Sequence, residues 1–203
     1  MSFHEPDGTY SSLNANALYT YWDYLKWTFT DRVELIRGHV VKMSPAPGAN
    51  HQRALRDVYF HFDQCFRGKS CELFYAPLDV RLPVPSAAKD STVVQPDLLV
   101  VCDPAKIDRR GCTGAPDLVL EIVSPGRSRH DMTVKFSLYE ESGVKEYWIV
   151  QPADRTVLIY HLENNRYVGL PPFTEGSIAS GKLFPALQVP VSDIFSAIPP
   201  DEY

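Results

Sequence analysis

Two carboxylates stand where the chain is otherwise most apolar. Asp97 opens the run Leu98-Leu99-Val100-Val101, and Glu121 lies inside Asp117-Leu118-Val119-Leu120-Glu121-Ile122-Val123. Both runs read as strands buried on two faces. A charge in such a place is costly unless it is paired or bound to a metal. Two carboxylates on neighbouring strands repel each other unless a cation is shared between them, and hard divalent ions such as Mg²⁺ take carboxylate oxygens in that arrangement. The 24 residues from Asp97 to Glu121 suffice to connect two strands of one sheet. The same residues allow a bland alternative, with Asp97 capping its strand and Glu121 paired with an arginine such as Arg127.

The elements that must position these groups follow from hydrophobic spacing. In residues 14–27, Leu18, Tyr21, Trp22 and Leu25 recur at helical intervals. They predict one amphipathic helix, or two short ones continuing through residues 33–36. Residues 38–44 alternate as a strand, and Pro45-Ala46-Pro47-Gly48 breaks it. Residues 50–66 carry Leu55, Val58, Tyr59, Phe62 and Phe66 on a 3.6-residue period, with Gly68 placed to end the helix. Strands are expected over 73–82, 93–101, 117–123 and 146–150, with a helix over 131–142 stopped by Gly143. A hairpin follows over 156–160 and 166–170, and a short apolar turn lies near 191–195. These elements imply an α/β fold, a mixed sheet flanked by helices with a C-terminal β-hairpin extension. They form a single domain over residues 1–203, with 1–12 a loose lead-in.

Composition narrows the class. The 203 residues are 44% hydrophobic and 22% charged, which suits a packed core and not global disorder. The net charge of −5 excludes a histone-like binder that relies on bulk positive charge. It leaves open a nucleic-acid enzyme whose metal and local basic rim offset its carboxylates. The longest apolar stretch, residues 98–102, is far too short to cross a bilayer, and no signal-peptide pattern opens the chain. A soluble, cytoplasmic protein is expected, with no membrane partner. Cys65, Cys71, Cys102 and Cys112 form no C-x-x-C pair and read as free thiols, some of them core fillers. The six histidines lack the spacing that puts two imidazoles on one helical face.

The order of short motifs adds a resemblance. Gln95-Pro96-Asp97, then Glu121-Ile122-Val123-Ser124-Pro125, then Asp131, Lys135 and Tyr139, then Gly143-Val144-Lys145-Glu146-Tyr147-Trp148-Ile149-Val150 is similar to the Uma family of endonucleases, within the PD-(D/E)XK nuclease superfamily. Glu34-Leu35-Ile36-Arg37-Gly38, Met43-Ser44-Pro45-Ala46-Pro47, His51-Gln52 and Ala76-Pro77-Leu78-Asp79-Val80-Arg81 resemble its N-terminal half. The resemblance covers roughly residues 20–195 and implies a restriction-endonuclease-like core holding Mg²⁺ (or Mn²⁺) on acidic residues. Asp97 matches the Asp of the PD motif and Glu121 the acid of the (D/E)XK element, so these two are the expected metal ligands. The lysine of that element is missing, since Val123 stands in its place. The family's usual substitute is a lysine on the following helix, which Lys135 fits. Glu34 would complete the acidic cluster, because many superfamily members bring a glutamate from the first core helix to the metal.

The implied activity is hydrolysis of phosphodiester bonds in DNA by water, a two-fold homodimer suiting cleavage of both strands. The rival of another class is a catalytically idle nuclease fold that binds nucleic acid or a protein partner. Asp117 shares a strand face with Glu121 and could support the metal. Asp79 reads as a loop-edge residue and His51 as a helix-cap histidine. Lys106, Arg109, Arg110, Arg127 and Arg129 form a loose basic set that either is solvated or contacts phosphates. Tyr147-Trp148 reads as core packing. Repulsion between Asp97 and Glu121 further implies that Glu121→Ala leaves the fold intact or stabilises it.

Overall fold

The computed structural model of the chain describes residues 13–43, 47–123 and 129–199. Its first sheet combines β1 (Val33–Ile36), β2 (His39–Lys42), β4 (Val80–Arg81), β5 (Val93–Val94), β7 (Ile107–Asp108) and β8 (Gly111–Thr113) in the order β2-β1-β5-β4-β8-β7. The second holds β3 (Glu72–Tyr75), β6 (Leu98–Val101), β9 (Leu118–Ile122), β10 (Glu146–Gln151), β11 (Thr156–Glu163) and β12 (Arg166–Gly169) in the order β12-β11-β10-β9-β6-β3. β13 (Phe173–Thr174) adds to β11, and β14 (Ile178–Ala179) pairs with β15 (Val189–Pro190). Among the described residues four α-helices accompany them: α1 (Tyr21–Tyr24), α2 (Ala49–Phe66), α3 (Arg129–Ser142) and α4 (Val191–Phe195).

The second sheet is apolar on both faces, which is why its strands read as continuous apolar runs. One face sends Leu98, Val100, Leu118, Leu120, Ile122 and Trp148 against α2 and α4, with Phe62 meeting the Trp148 ring edge-on at 5.5 Å. The other face sends Leu99, Val101, Val119, Tyr147 and Ile149 toward the first sheet and α3. Burying each large apolar side chain contributes about 1.5–3 kcal/mol. β9 and β10 are parallel, and α3 is the crossover that a parallel pair requires. Gly143, at φ 84°, ends α3 in the left-handed conformation that glycine adopts without strain. At the far end, Asn164 and Asn165 take φ 50° and 61°, the turn that joins β11 to β12.

Four readings change. Residues 33–36 form a strand, not a helix, because Val33–Ile36 pairs in register with His39–Lys42 and buries Leu35; four residues are too few for apolar spacing to separate the two. Upstream, the helix shrinks to the single turn α1, and its aromatic neighbours pack locally, Tyr24 on Trp27 and Trp27 on Tyr19. The runs 73–82 and 93–101 are each split between the two sheets. Pro77 and Pro96 lie at the breaks, where a residue without an N–H cannot continue a ladder. Finally, Cys71 and Cys102 are disulfide-bonded rather than free, because the β3–β6 register sets them opposite each other; Cys65 and Cys112 are free thiols.

Candidate active site

The seam between the two sheets gathers the charged residues. Residues 95–97 carry the chain from β5 in the first sheet to β6 in the second. The antiparallel β6–β9 ladder pairs Leu98 with Leu120, so Asp97, just before β6, stands beside the end of β9 that carries Glu121 and Ile122. Glu34 arrives from β1 and Lys135 from α3. Glu34, Asp97, Glu121 and Lys135 are only 3–8% exposed.

Lys135 Nζ donates to Glu121 Oε1 at 2.7 Å and lies 3.1 Å from Glu34 Oε1. The phenol of Tyr139, one helical turn on, donates to the same Glu121 oxygen at 2.7 Å. Burial, then the charge of Glu121, pushes that phenol well above its ordinary range, so it remains a neutral donor. Glu34 Oε1 also accepts the Gln95 amide at 3.0 Å. The chain's own cation therefore bridges an acid from each sheet.

Asp97 is held from two other directions. Its Oδ2 accepts the Ile122 amide at 2.8 Å and lies 3.1 Å from His51 Nε2. Burial pushes its carboxyl up. The hydrogen bond and charge of His51, the Ile122 amide and the charge of Lys135 outweigh burial and hold it below the ordinary aspartate value. Because an ionised carboxylate only accepts, the His51 proton belongs on Nε2. His51 Nδ1 is buried without a partner among the described residues.

His51 is the site residue that sequence reading passed over as a helix cap. The signal was present: Ala54, Val58, Phe62 and Phe66 form the buried stripe of α2, and His51 continues it toward the N-terminus. Gln95 was also passed over, yet it links the site to the first sheet. Its side chain donates to Asp79 Oδ1 at 2.8 Å and accepts from Arg32 at 2.8 Å. Asp79 is thus more than a loop edge. It stands there because Gly111 lets the backbone close on it; a Cβ at Gly111 would lie 2.2 Å from the Asp79 carbonyl oxygen.

Other candidates fall elsewhere. Asp117 shares the face of Glu121 but starts the strand, about 13 Å away along it. Lys145 and the Cys102 amide, both at 2.7–2.8 Å, engage it there, so it does not support the Asp97–Glu121 centre. Lys106 donates to the Ala115 carbonyl at 2.8 Å, and Arg110 stacks on Trp22 at 5.6 Å. They belong to the β7–β8 end of the first sheet instead of rimming the site. Arg109 accompanies them on the β7–β8 turn. Arg127 and the Arg129 and Asp131 side chains lie outside the described residues. Trp148 and Tyr147 are buried in the core, as expected.

The donor set suits a hard divalent ion in its chemistry: buried carboxylates at Asp97 and Glu121, with Asp97 Oδ1 taking no hydrogen bond among the described residues. Asp97 also lines a cavity of about 210 Å³ with Gln52, Gln95 and Arg32, so that carboxylate has an approach from outside. Among the described residues no three His, Cys, Asp or Glu side chains converge as a ready ligand set. Nor is any helix among them long and apolar enough to cross a membrane.

Comparison with known proteins agrees with this fold. The family described as "Uma2: Putative restriction endonuclease" matches residues 22–192. The crystal structure of "a putative nuclease belonging to DUF820" from Anabaena variabilis ATCC 29413 superposes with a TM-score of 0.69 at 19% identity, over 88% of this chain and 98% of that one. No curated protein matches the chain.

Proposed function

Because the chain belongs to the Uma2 family, which supports a nuclease-like function on a restriction-endonuclease-like fold, we propose that it hydrolyses phosphodiester bonds in DNA with the help of Mg²⁺ or Mn²⁺. The observation that carries this reading is one buried lysine, Lys135, that contacts Glu121 and whose charge also acts on Asp97. Asp97 and Glu121 are the residues to hold the ion. When bound, it would supply Lewis acidity at the scissile phosphate and make water more acidic.

The chain's own groups have separable tasks in this reading. His51 and the Ile122 amide fix Asp97 in its ionised form and leave Oδ1 for the ion. Lys135 Nζ lies between two carboxylates and would present positive charge where the phosphate becomes more negative. Tyr139 orients Glu121 through a proton it does not give up. Glu34 holds Lys135 from the first sheet.

The test is cleavage of supercoiled plasmid with Mg²⁺ or Mn²⁺, with EDTA, and with the Asp97→Asn variant. Metal-dependent nicking that Asp97→Asn abolishes supports the reading. A second reading has its own observation, that Lys135 already pairs with both Glu34 and Glu121. DNA binding with no cleavage under any metal would favour that idle, nucleic-acid-binding fold.

A further inference from the structure

A second cavity, of about 310 Å³, opens beside the one that reaches Asp97. Its wall is aromatic, built from Tyr24, Trp27 and Phe29, and it shares Arg32 and Gln95 with the Asp97 cavity. Gln95 and Asp97 are two residues apart, so their Cα atoms are within about 7 Å. The rings hold one another in place: Trp27 meets Tyr24 at 5.7 Å, Phe29 at 5.4 Å and Tyr19 at 5.3 Å. All three wall rings are half-buried and present a face or edge to the opening instead of closing it.

From this juxtaposition we propose that the Tyr24–Trp27–Phe29 cavity receives an unpaired nucleobase of the substrate strand, so that the protein prefers single-stranded or locally opened DNA. The inference rests on the nucleic-acid reading above and names the form of substrate. Three observations support it. The volume lies at the lower end of small-ligand pockets, about 300–1,000 Å³. The shared Arg32 is exposed and spends one donor on Gln95, leaving others for the phosphate between the stacked base and the Asp97 cavity. Asp31, the acidic residue in the wall, is met by Lys42 at 2.8 Å, so it does not confront that phosphate as a bare charge. A chain of net charge −5 gains little from bulk attraction to DNA. Stacking on aromatic faces supplies sequence-tolerant affinity by another route.

The experiment is fluorescence anisotropy with a labelled 12-nucleotide oligothymidylate and with a blunt 12-base-pair duplex, both in Ca²⁺. The wild-type protein should bind the single strand more tightly. Trp27→Ala and Phe29→Ala should each weaken single-strand binding by about five- to a hundredfold and duplex binding by less than twofold, with Trp27→Phe retaining most of the affinity. In a Trp22→Phe background, where Trp148 is buried in the core, the single strand should quench the remaining exposed-side fluorescence of Trp27, a readout independent of the variants' folding. Equal losses on both probes, or no quenching, would overturn the proposal. The two readings fail separately. Absent cleavage with single-strand binding that still depends on Trp27 would sink the nuclease reading alone. Metal-dependent cleavage with binding indifferent to Trp27 and Phe29 would sink only the base cavity.

Discussion

Lys135 Nζ sits 2.7 Å from Glu121 Oε1, joining a helix to the middle of a buried strand. Val123 occupies the position where the superfamily pattern places a lysine, and it cannot carry charge. The cation arrives instead from α3, fourteen residues after Glu121.

Replacing Lys135 by alanine should therefore lower turnover by about a hundredfold or more, the usual loss on removing one charge-stabilising donor. Lys135→Arg should recover only part, because a planar guanidinium does not fit the place of a compact ammonium. Single-turnover cleavage of plasmid at saturating Mn²⁺ separates this from a change in metal affinity. Wild-type rates in the alanine variant would remove Lys135 from the chemistry.

If Asp97 holds the ion as proposed, His51, 3.1 Å from its Oδ2, has its expected signature in metal affinity. Partners that orient a metal ligand typically contribute 10–100-fold in affinity or activity. His51→Ala should weaken Mn²⁺ binding, read by calorimetric titration, by about that factor. His51→Gln, whose side-chain amide nitrogen reaches the place of Nε2 and can still donate to Asp97 Oδ2, should restore part of it. Equal metal affinity in all three proteins would reduce His51 to a packing residue.

The distance between what sequence patterns reveal and what they hide is clearest here. Asp97 and Glu121 were legible because each is an anomaly, a charge beside or within an apolar strand, and Lys135 was legible through the family resemblance. Glu34 was legible in the same way, and on the wrong kind of element, because Val-Glu-Leu-Ile fits a helix or a strand equally well. His51 and Gln95 were missed since nothing about either is anomalous until the fold sets it beside Asp97 or Asp79. The splitting of two long apolar runs between sheets was also hidden, although each break carries a proline. Pattern reading weighs the apolar residues of such a run more readily than the one missing N–H.

Asp117 makes a pH-dependent contribution away from Asp97 and Glu121. Burial pushes its carboxyl up, but Lys145 and the Cys102 amide hold it below the ordinary aspartate value of 3.8. A depressed folded-state pKa contributes stability that is present above the unfolded value and lost as pH falls through the folded one. Asp117→Asn should accordingly lower Tm near neutral pH, and the gap from wild type should shrink as pH falls below about 4. Thermal melts from pH 7 downward check this. A gap that widens in acid would contradict the assigned direction.

Glu121 gives the most demanding prediction, because the structure reverses what repulsion alone implies. Were Asp97 its only charged neighbour, deleting Glu121 would relieve a like-charge contact. The carboxylate instead accepts from Lys135 and Tyr139, both buried. Glu121→Ala leaves an ammonium with Glu34 as a remaining close anion and strands a phenol without its acceptor. Breaking a buried pair costs about 3–5 kcal/mol, and an unsatisfied buried hydroxyl adds about 1–3 kcal/mol. Glu121→Gln keeps an acceptor oxygen for either donor, so it should lose less stability while losing metal-dependent cleavage as fully. Urea unfolding of the three proteins orders them: wild type above Glu121→Gln, and Glu121→Ala lowest. An alanine variant as stable as wild type would mean that repulsion from Asp97 outweighs both hydrogen bonds, and that Lys135 is not held by Glu121 in solution.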